Sequence, residues 1–107
     1  VENQDINFYS KADLIFLRKI IETTIINQKT IDMNIIQSIK KDWSMDRIDP
    51  TLGAIFRAAA AEFIIQTPPK IVISEFLEIA KSFFPNGKEC KLVNGVLDKL
   101  ATQILST

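Results

Sequence analysis

Histidine is absent from the 107 residues, and cysteine occurs once, at Cys90. Without histidine there is no Ser-His-Asp or Cys-His apparatus and no His-based zinc or haem site. A single cysteine excludes an internal disulfide framework and a Cys-clustered metal site, and it fits a reducing cytoplasm. Glycine numbers 3 and proline 4, too few for a turn-rich all-β fold and suited to long uninterrupted elements. Excess charge of either sign is also missing, because 13 Lys+Arg balance 13 Asp+Glu. That rules out a strongly basic nucleic-acid arm or a solvating acidic tail. No apolar run approaches the ~18 residues of a membrane span. The opening Val1-Glu2-Asn3-Gln4-Asp5 is polar, unlike a signal peptide. What remains is 47% hydrophobic and 24% charged, the composition of a globular chain with one core.

Period and punctuation predict five helices. After a polar lead-in over residues 1–9, Ser10 with Asp13 three residues on approximates a capping box. A helix to about Gln28 follows, with Leu14, Leu17, Ile21 and Ile25 on one face and Phe16 and Ile20 widening it. Thr30 is read as the cap of a second helix to about Asp42, with Ile31, Ile35, Ile39 and Trp43 four apart and Lys40-Lys41 in the last turn. Asp49-Pro50 opens a third helix, to about Gln66, since aspartate caps and proline loses nothing at the first helical position. Leu52, Ile55, Phe56, Ala59 and Phe63 make one face of it, and four consecutive alanines from Ala58 widen the apolar surface. A helix so apolar all round is expected to be central. The fourth, from about Ile71 to Phe84, places Ile73, Phe76, Leu77, Ala80 and Phe84 inward and Glu75, Glu78 and Lys81 outward. The turn Pro85-Asn86-Gly87 precedes a fifth helix, from about Glu89 to Leu105, with Val93, Val96, Leu97, Leu100 and Ile104 as its stripe. Gly95 in its middle costs about 1 kcal/mol relative to alanine, and close packing by a neighbouring helix is the expected reason for it. The fold class is thus all-α: a compact antiparallel bundle of about five helices in a single domain over residues 1–107.

Chemistry-bearing groups are few. Asp46 and Asp49 flank Arg47, a pair better explained as a helix-entry cap with a local ion pair than as an acid/base couple. Glu75, Glu78 and Lys81 read as a solvated face. Cys90 lacks any base to activate it. No phosphate-binding glycine loop is present; Pro85-Asn86-Gly87-Lys88 is a turn followed by a lysine. Lys88 and Lys91 lie one turn apart and could contact phosphates. No catalytic apparatus, cofactor motif or metal-ligand spacing emerges.

Five blocks in order carry a resemblance. They are Trp43-Ser44-Met45-Asp46-Arg47-Ile48-Asp49-Pro50-Thr51-Leu52, Phe56-Arg57-Ala58-Ala59-Ala60-Ala61-Glu62-Phe63, Pro68-Pro69-Lys70-Ile71-Val72-Ile73-Ser74-Glu75, Glu78-Ile79-Ala80-Lys81-Ser82-Phe83 and Lys91-Leu92-Val93-Asn94-Gly95-Val96-Leu97-Asp98-Lys99-Leu100. Together they closely resemble the carboxyl-terminal two-thirds of the bacterial NusB transcription antitermination family. The resemblance is strong over residues 43–105, whereas residues 10–42 match in helix length and pattern. It implies a NusB-like, non-enzymatic, cytoplasmic helical protein. Such a protein pairs with NusE, a small-subunit ribosomal protein, and binds boxA of ribosomal RNA transcripts. Through that pair it helps the RNA polymerase elongation complex read through terminators.

Glu62, a charge on an otherwise apolar helix, is expected at the rim of a surface; carried onto this chain, the resemblance assigns it to a basic group of NusE, and Lys88, Lys91 and Leu92 to the edge that meets RNA and NusE. The family often has an aromatic where Leu92 stands. Family members also carry a basic, Arg-rich helix and a second helix ahead of the matching segment. The chain is therefore expected to be truncated at its amino end. On that expectation an apolar gap near Leu14, Leu17, Ile21, Phe56 and Phe63 would be covered by a homodimer or by the lead-in residues. A similar helical domain precedes the catalytic domain of a ribosomal RNA cytosine methyltransferase, which is the alternative. No methyltransferase motif occurs in the chain.

Overall fold

The computed structural model describes residues 10–39 and 48–106. Trp43, Lys40-Lys41, the Asp46/Arg47 pair and the lead-in 1–9 lie outside the described residues. The fold is all-α, with five helices: α1 (Lys11–Ile26), α2 (Gln28–Ser38), α3 (Pro50–Ile64), α4 (Pro69–Phe83) and α5 (Lys88–Leu105).

Side-chain caps set the starts of α1 and α3. Ser10 Oγ accepts from the Asp13 N–H at 3.1 Å, and the Asp13 carboxylate accepts from the Ser10 N–H at 3.2 Å, a closed capping box. The Asp49 carboxylate accepts from the Thr51 N–H at 2.7 Å, with Pro50 in the first helical turn. Asp49 is therefore a cap.

Several boundaries differ from the sequence reading: α1 ends at Ile26, two residues short of Gln28, and α4 starts at Pro69, two before Ile71. Thr30 caps nothing, because α2 already begins at Gln28. The break falls at Asn27, whose side-chain amide donates to the Thr23 carbonyl at 2.9 Å. Such local bonding competes with helix continuation. The second helix ends at Ser38 rather than near Asp42, with Ile39 already extended. The third ends at Ile64, two residues early, because Gln66 turns into the left-handed region at φ 67°. There the Gln66 N–H donates to the Phe63 carbonyl and the Thr67 N–H to the Glu62 carbonyl. This is a Schellman closure with glutamine where glycine is usual, followed at once by proline.

The core gathers Ile31 and Ile35 of α2, Leu52, Phe56, Ala59 and Phe63 of α3, Val72 and Ala80 of α4, and Val93, Leu97 and Leu100 of α5. Helix α3 touches all four others, as expected of the central helix. Its buried alanines Ala59, Ala60 and Ala61 leave room for close neighbours. The one cross-helix ion pair among the described residues ties α2 to α3: Arg57 Nε donates to Asp32 Oδ1 at 2.9 Å. Both side chains are partly exposed, so the pair is worth little more than ~1 kcal/mol.

Helix α1 departs from the expected role of its stripe. It lies along α3 but buries none of its residues and adds nothing to the core cluster. Its partly buried positions are Ile20, Thr23 and Thr24. The richer stripe of Leu14, Leu17, Ile21 and Ile25 lies roughly a third of a turn away and is 45–66% exposed. Phe56 and Phe63, expected beside an apolar gap, are instead fully buried.

Candidate nucleic-acid interface

Helix α5 fixes the site. Its inward stripe, Val93, Val96, Leu97 and Leu100, is locked in the core, so the opposite edge is held in register. At 3.6 residues per turn, Lys88, Lys91, Gly95 and Lys99 stand above one another. With Ser38 at the end of α2, and with Leu92 and Val96, they line a cleft of about 300 Å³. Ser38 is buried, and its Oγ donates to the Asn34 carbonyl at 2.8 Å. Lys88, Lys91 and Lys99 are all exposed, and none enters an ion pair among the described residues. The carboxylates of α5, Glu89 and Asp98, lie outside the lining. Among the described residues, three lysines without an ion-pair partner therefore line one cleft that no carboxylate lines, an arrangement suited to an anion chain.

The expected residues Lys88, Lys91 and Leu92 are thus brought together. Lys99, Gly95, Val96 and Ser38 complete the cleft. Lys99 and Gly95 were legible in principle, since 88, 91, 95 and 99 follow helical spacing. Ser38 was not, because only tertiary packing brings α2 there. The close packing expected at Gly95 is not seen among the described residues: it is exposed, and a Cβ built on it would meet none of them within 4 Å.

Glu62 does not line this cleft. The expectation that it lies at the rim of a surface is corrected: it is only 6% exposed, on the central helix. Burial, and after it the nearby Glu75 carboxylate, raise its pKa above the usual carboxylate value of 4.5. No described cation pairs with it.

Cys90 is half-buried against the core, and its thiol donates to the Phe84 carbonyl at 3.7 Å. Glu78 pairs with Lys81 at 3.3 Å on the solvated face of α4. A second, apolar groove of about 470 Å³ runs between α3 and α4, past Ile55, Phe76, Ile79 and Phe83, without a charged group to orient a ligand. Among the described residues, no three His, Cys, Asp or Glu side chains gather as a metal would require. No described helix is long and apolar enough to cross a membrane.

Comparison with known proteins bears on this geometry. The transcription antitermination protein NusB of Sinorhizobium fredii is 39% identical over 98 residues, which cover 90% of this chain and 61% of that protein. The protein of that name from Allorhizobium ampelinum is 40% identical over 98 residues, with the same coverage. That of Bartonella quintana is 40% identical over 105 residues, covering 96% of this chain and 67% of the relative. The chain thus spans about three-fifths of the length of the first two relatives. No solved structure matches it. The model of the NusB family matches residues 2–102, and the chain belongs to that family.

Proposed function

We propose that this chain is an RNA-binding adaptor of transcription antitermination. It pairs with NusE on boxA of ribosomal RNA transcripts and reaches the RNA polymerase elongation complex through that pair. The observation that carries this reading is the cleft along α5, where Lys88, Lys91 and Lys99 have no acidic partner among the described residues. Phosphate contacts by the lysines position the strand, and Leu92 with Val96 offers an apolar floor to a ribose or a base face. The names of the relatives favour the adaptor over the methyltransferase domain. The role is one of binding, not catalysis, and it takes place in the cytoplasm.

Glu62 is the proposed NusE contact. A carboxylate that has lost water without gaining a cation gains from a basic group brought by a partner. Exposed Glu75 beside it makes the same spot attractive to that group. The uncovered stripe of α1 belongs to a second copy of the chain, most simply in a symmetric dimer.

The test is fluorescence anisotropy of a labelled boxA RNA with and without NusE. Lys88→Glu with Lys91→Glu is expected to weaken binding by at least about tenfold, as reversal of two phosphate contacts does. Unchanged affinity removes both residues from the interface. For the partner contact, Glu62→Lys and the milder Glu75→Lys should each reduce NusE capture with helicity intact. Normal capture by both variants refutes the assignment.

A further inference from the structure

The dipeptide Asn-Gly occurs twice in the chain, at Asn86-Gly87 and at Asn94-Gly95. Asparagine before glycine carries a reaction of its own. The glycine nitrogen can attack the asparagine side-chain carbon, because the glycine has no Cβ to hinder the approach. Exposure does not separate the two pairs, since Asn86 and Asn94 are both exposed. Their backbones do. Asn94 and Gly95 lie inside α5, where a residue's N–H is committed to the carbonyl four before it. Closing the ring also requires the asparagine ψ to leave the helical value of about −42°. Attack there waits until the helix opens.

Asn86 lies in the turn between α4 and α5, outside both helices. Gly87 follows at φ 91°, a conformation that glycine adopts without strain. Its N–H donates to the Phe84 carbonyl at 3.4 Å, longer than a good N–H···O bond. Its carbonyl accepts from the Lys91 N–H at the same long distance, and no described side chain caps this end of α5. The nucleophilic nitrogen is thus held by one weak bond.

We infer that Asn86 is a self-modification site, converted through a succinimide to aspartate and isoaspartate, while Asn94 is protected by its helix. The Gly87 nitrogen loses its proton and bonds to Asn86 Cγ. The Cγ–Nδ2 bond breaks, and ammonia leaves with that proton. Water then opens the imide. Breakage of the Cγ–N bond gives aspartate, and breakage of the bond to the former main-chain carbonyl gives isoaspartate. Either product adds a negative charge two residues before Lys88 of the cleft. Isoaspartate also lengthens the main chain by one carbon, beside the Phe84 carbonyl that accepts from both Gly87 and Cys90.

The test is incubation of the folded chain in mildly alkaline buffer, followed by trypsin and mass spectrometry. Cleavage after Lys81, Lys88, Lys91 and Lys99 puts the two asparagines in separate peptides, residues 82–88 and 92–99. The first is expected to gain the mass of an amide-to-acid change at least about tenfold faster than the second, because the second waits on local opening of α5. In urea the two should convert at similar rates. Equal rates in the folded chain would overturn the inference. So would an equally large difference in urea, which would assign it to neighbouring side chains rather than to the fold. An isoaspartate-specific methyltransferase is expected to label the product in peptide 82–88. Mass gain without any labelling would mean direct hydrolysis, and would refute the succinimide route.

Discussion

Neutralising the α5 lysines should change how RNA binding responds to salt, not merely how strong it is. Each phosphate neutralised on a single strand releases condensed counterions and contributes about −0.7 to the slope of log K against log salt. Lys88, Lys91 and Lys99 face one cleft and pair with no carboxylate among the described residues. All three are thus free to contact phosphate, and together they account for a slope of about −2. Between 50 and 200 mM salt those contacts alone should cost about twentyfold in affinity. The triple variant Lys88→Gln, Lys91→Gln, Lys99→Gln should lose that part of the slope, and each single change about a third of it. Because the side chains are exposed, the substitutions should leave stability within about 0.5 kcal/mol. The assay is anisotropy of a labelled boxA RNA across a potassium chloride series, with NusE present throughout so that one complex is compared. A triple variant that binds more weakly but keeps the parental slope would show that the lysines act through the fold and not on phosphate. A parental slope with parental affinity would place the RNA elsewhere on the molecule.

Other outcomes follow from individual residues. Gln66→Gly should stabilise the chain by up to about 1 kcal/mol in urea denaturation, since it relieves a left-handed non-glycine residue in the Schellman closure; a loss of stability would mean the glutamine side chain matters more than its φ. Glu62 has a folded pKa raised above its unfolded value, so its contribution is fully present below about pH 4.5 and is lost as pH rises through the folded value. Glu62→Gln should therefore be more stable than the parent at neutral pH and lose that advantage in acid, and equal pH profiles would refute this. The exposed stripe of α1 should give, by light scattering at micromolar concentration, a mass near twice that of one chain; Leu17→Glu with Ile21→Glu should restore the monomer, and a parent already monomeric would remove the dimer.

The helices were legible because their punctuation is chemical and local. Ser10 with Asp13, and Asp49 with Pro50, act on the backbone within one turn, so no knowledge of the fold was needed. The ends that were missed depend on less specific residues. Asn27 interrupts a stretch that periodicity alone would run on, by bonding back to Thr23. Gln66 adopts a conformation normally reserved for glycine. The inward stripes of α3 and α5 were right because each meets another apolar stripe, whereas on α4 only Ala80 of the expected residues is fully buried, the others are half-buried against the core, and Val72, outside the expected stripe, is buried with it. The stripe of α1 obeyed the same periodicity and stayed exposed, since periodicity says which residues share a face and not whether anything covers it.

The candidate site divides along the same line. Lys88 and Lys91 could be singled out as neighbours on a helix, but two surface lysines carry little weight until the cleft gives them a common target. The structure supplies that target by adding Lys99 about two turns further along the same face and closing the far wall with Ser38 from another helix. Glu62 shows the opposite failure. Its charge on an apolar helix suggested a rim, yet a charge on a central helix can also be carried inside at the cost of a raised pKa. Gly95 is the sharper case: its helix cost was visible from the beginning, yet the described residues place nothing within 4 Å of where a Cβ would stand, because the pattern that puts a glycine on a helix face does not say whether that face is covered.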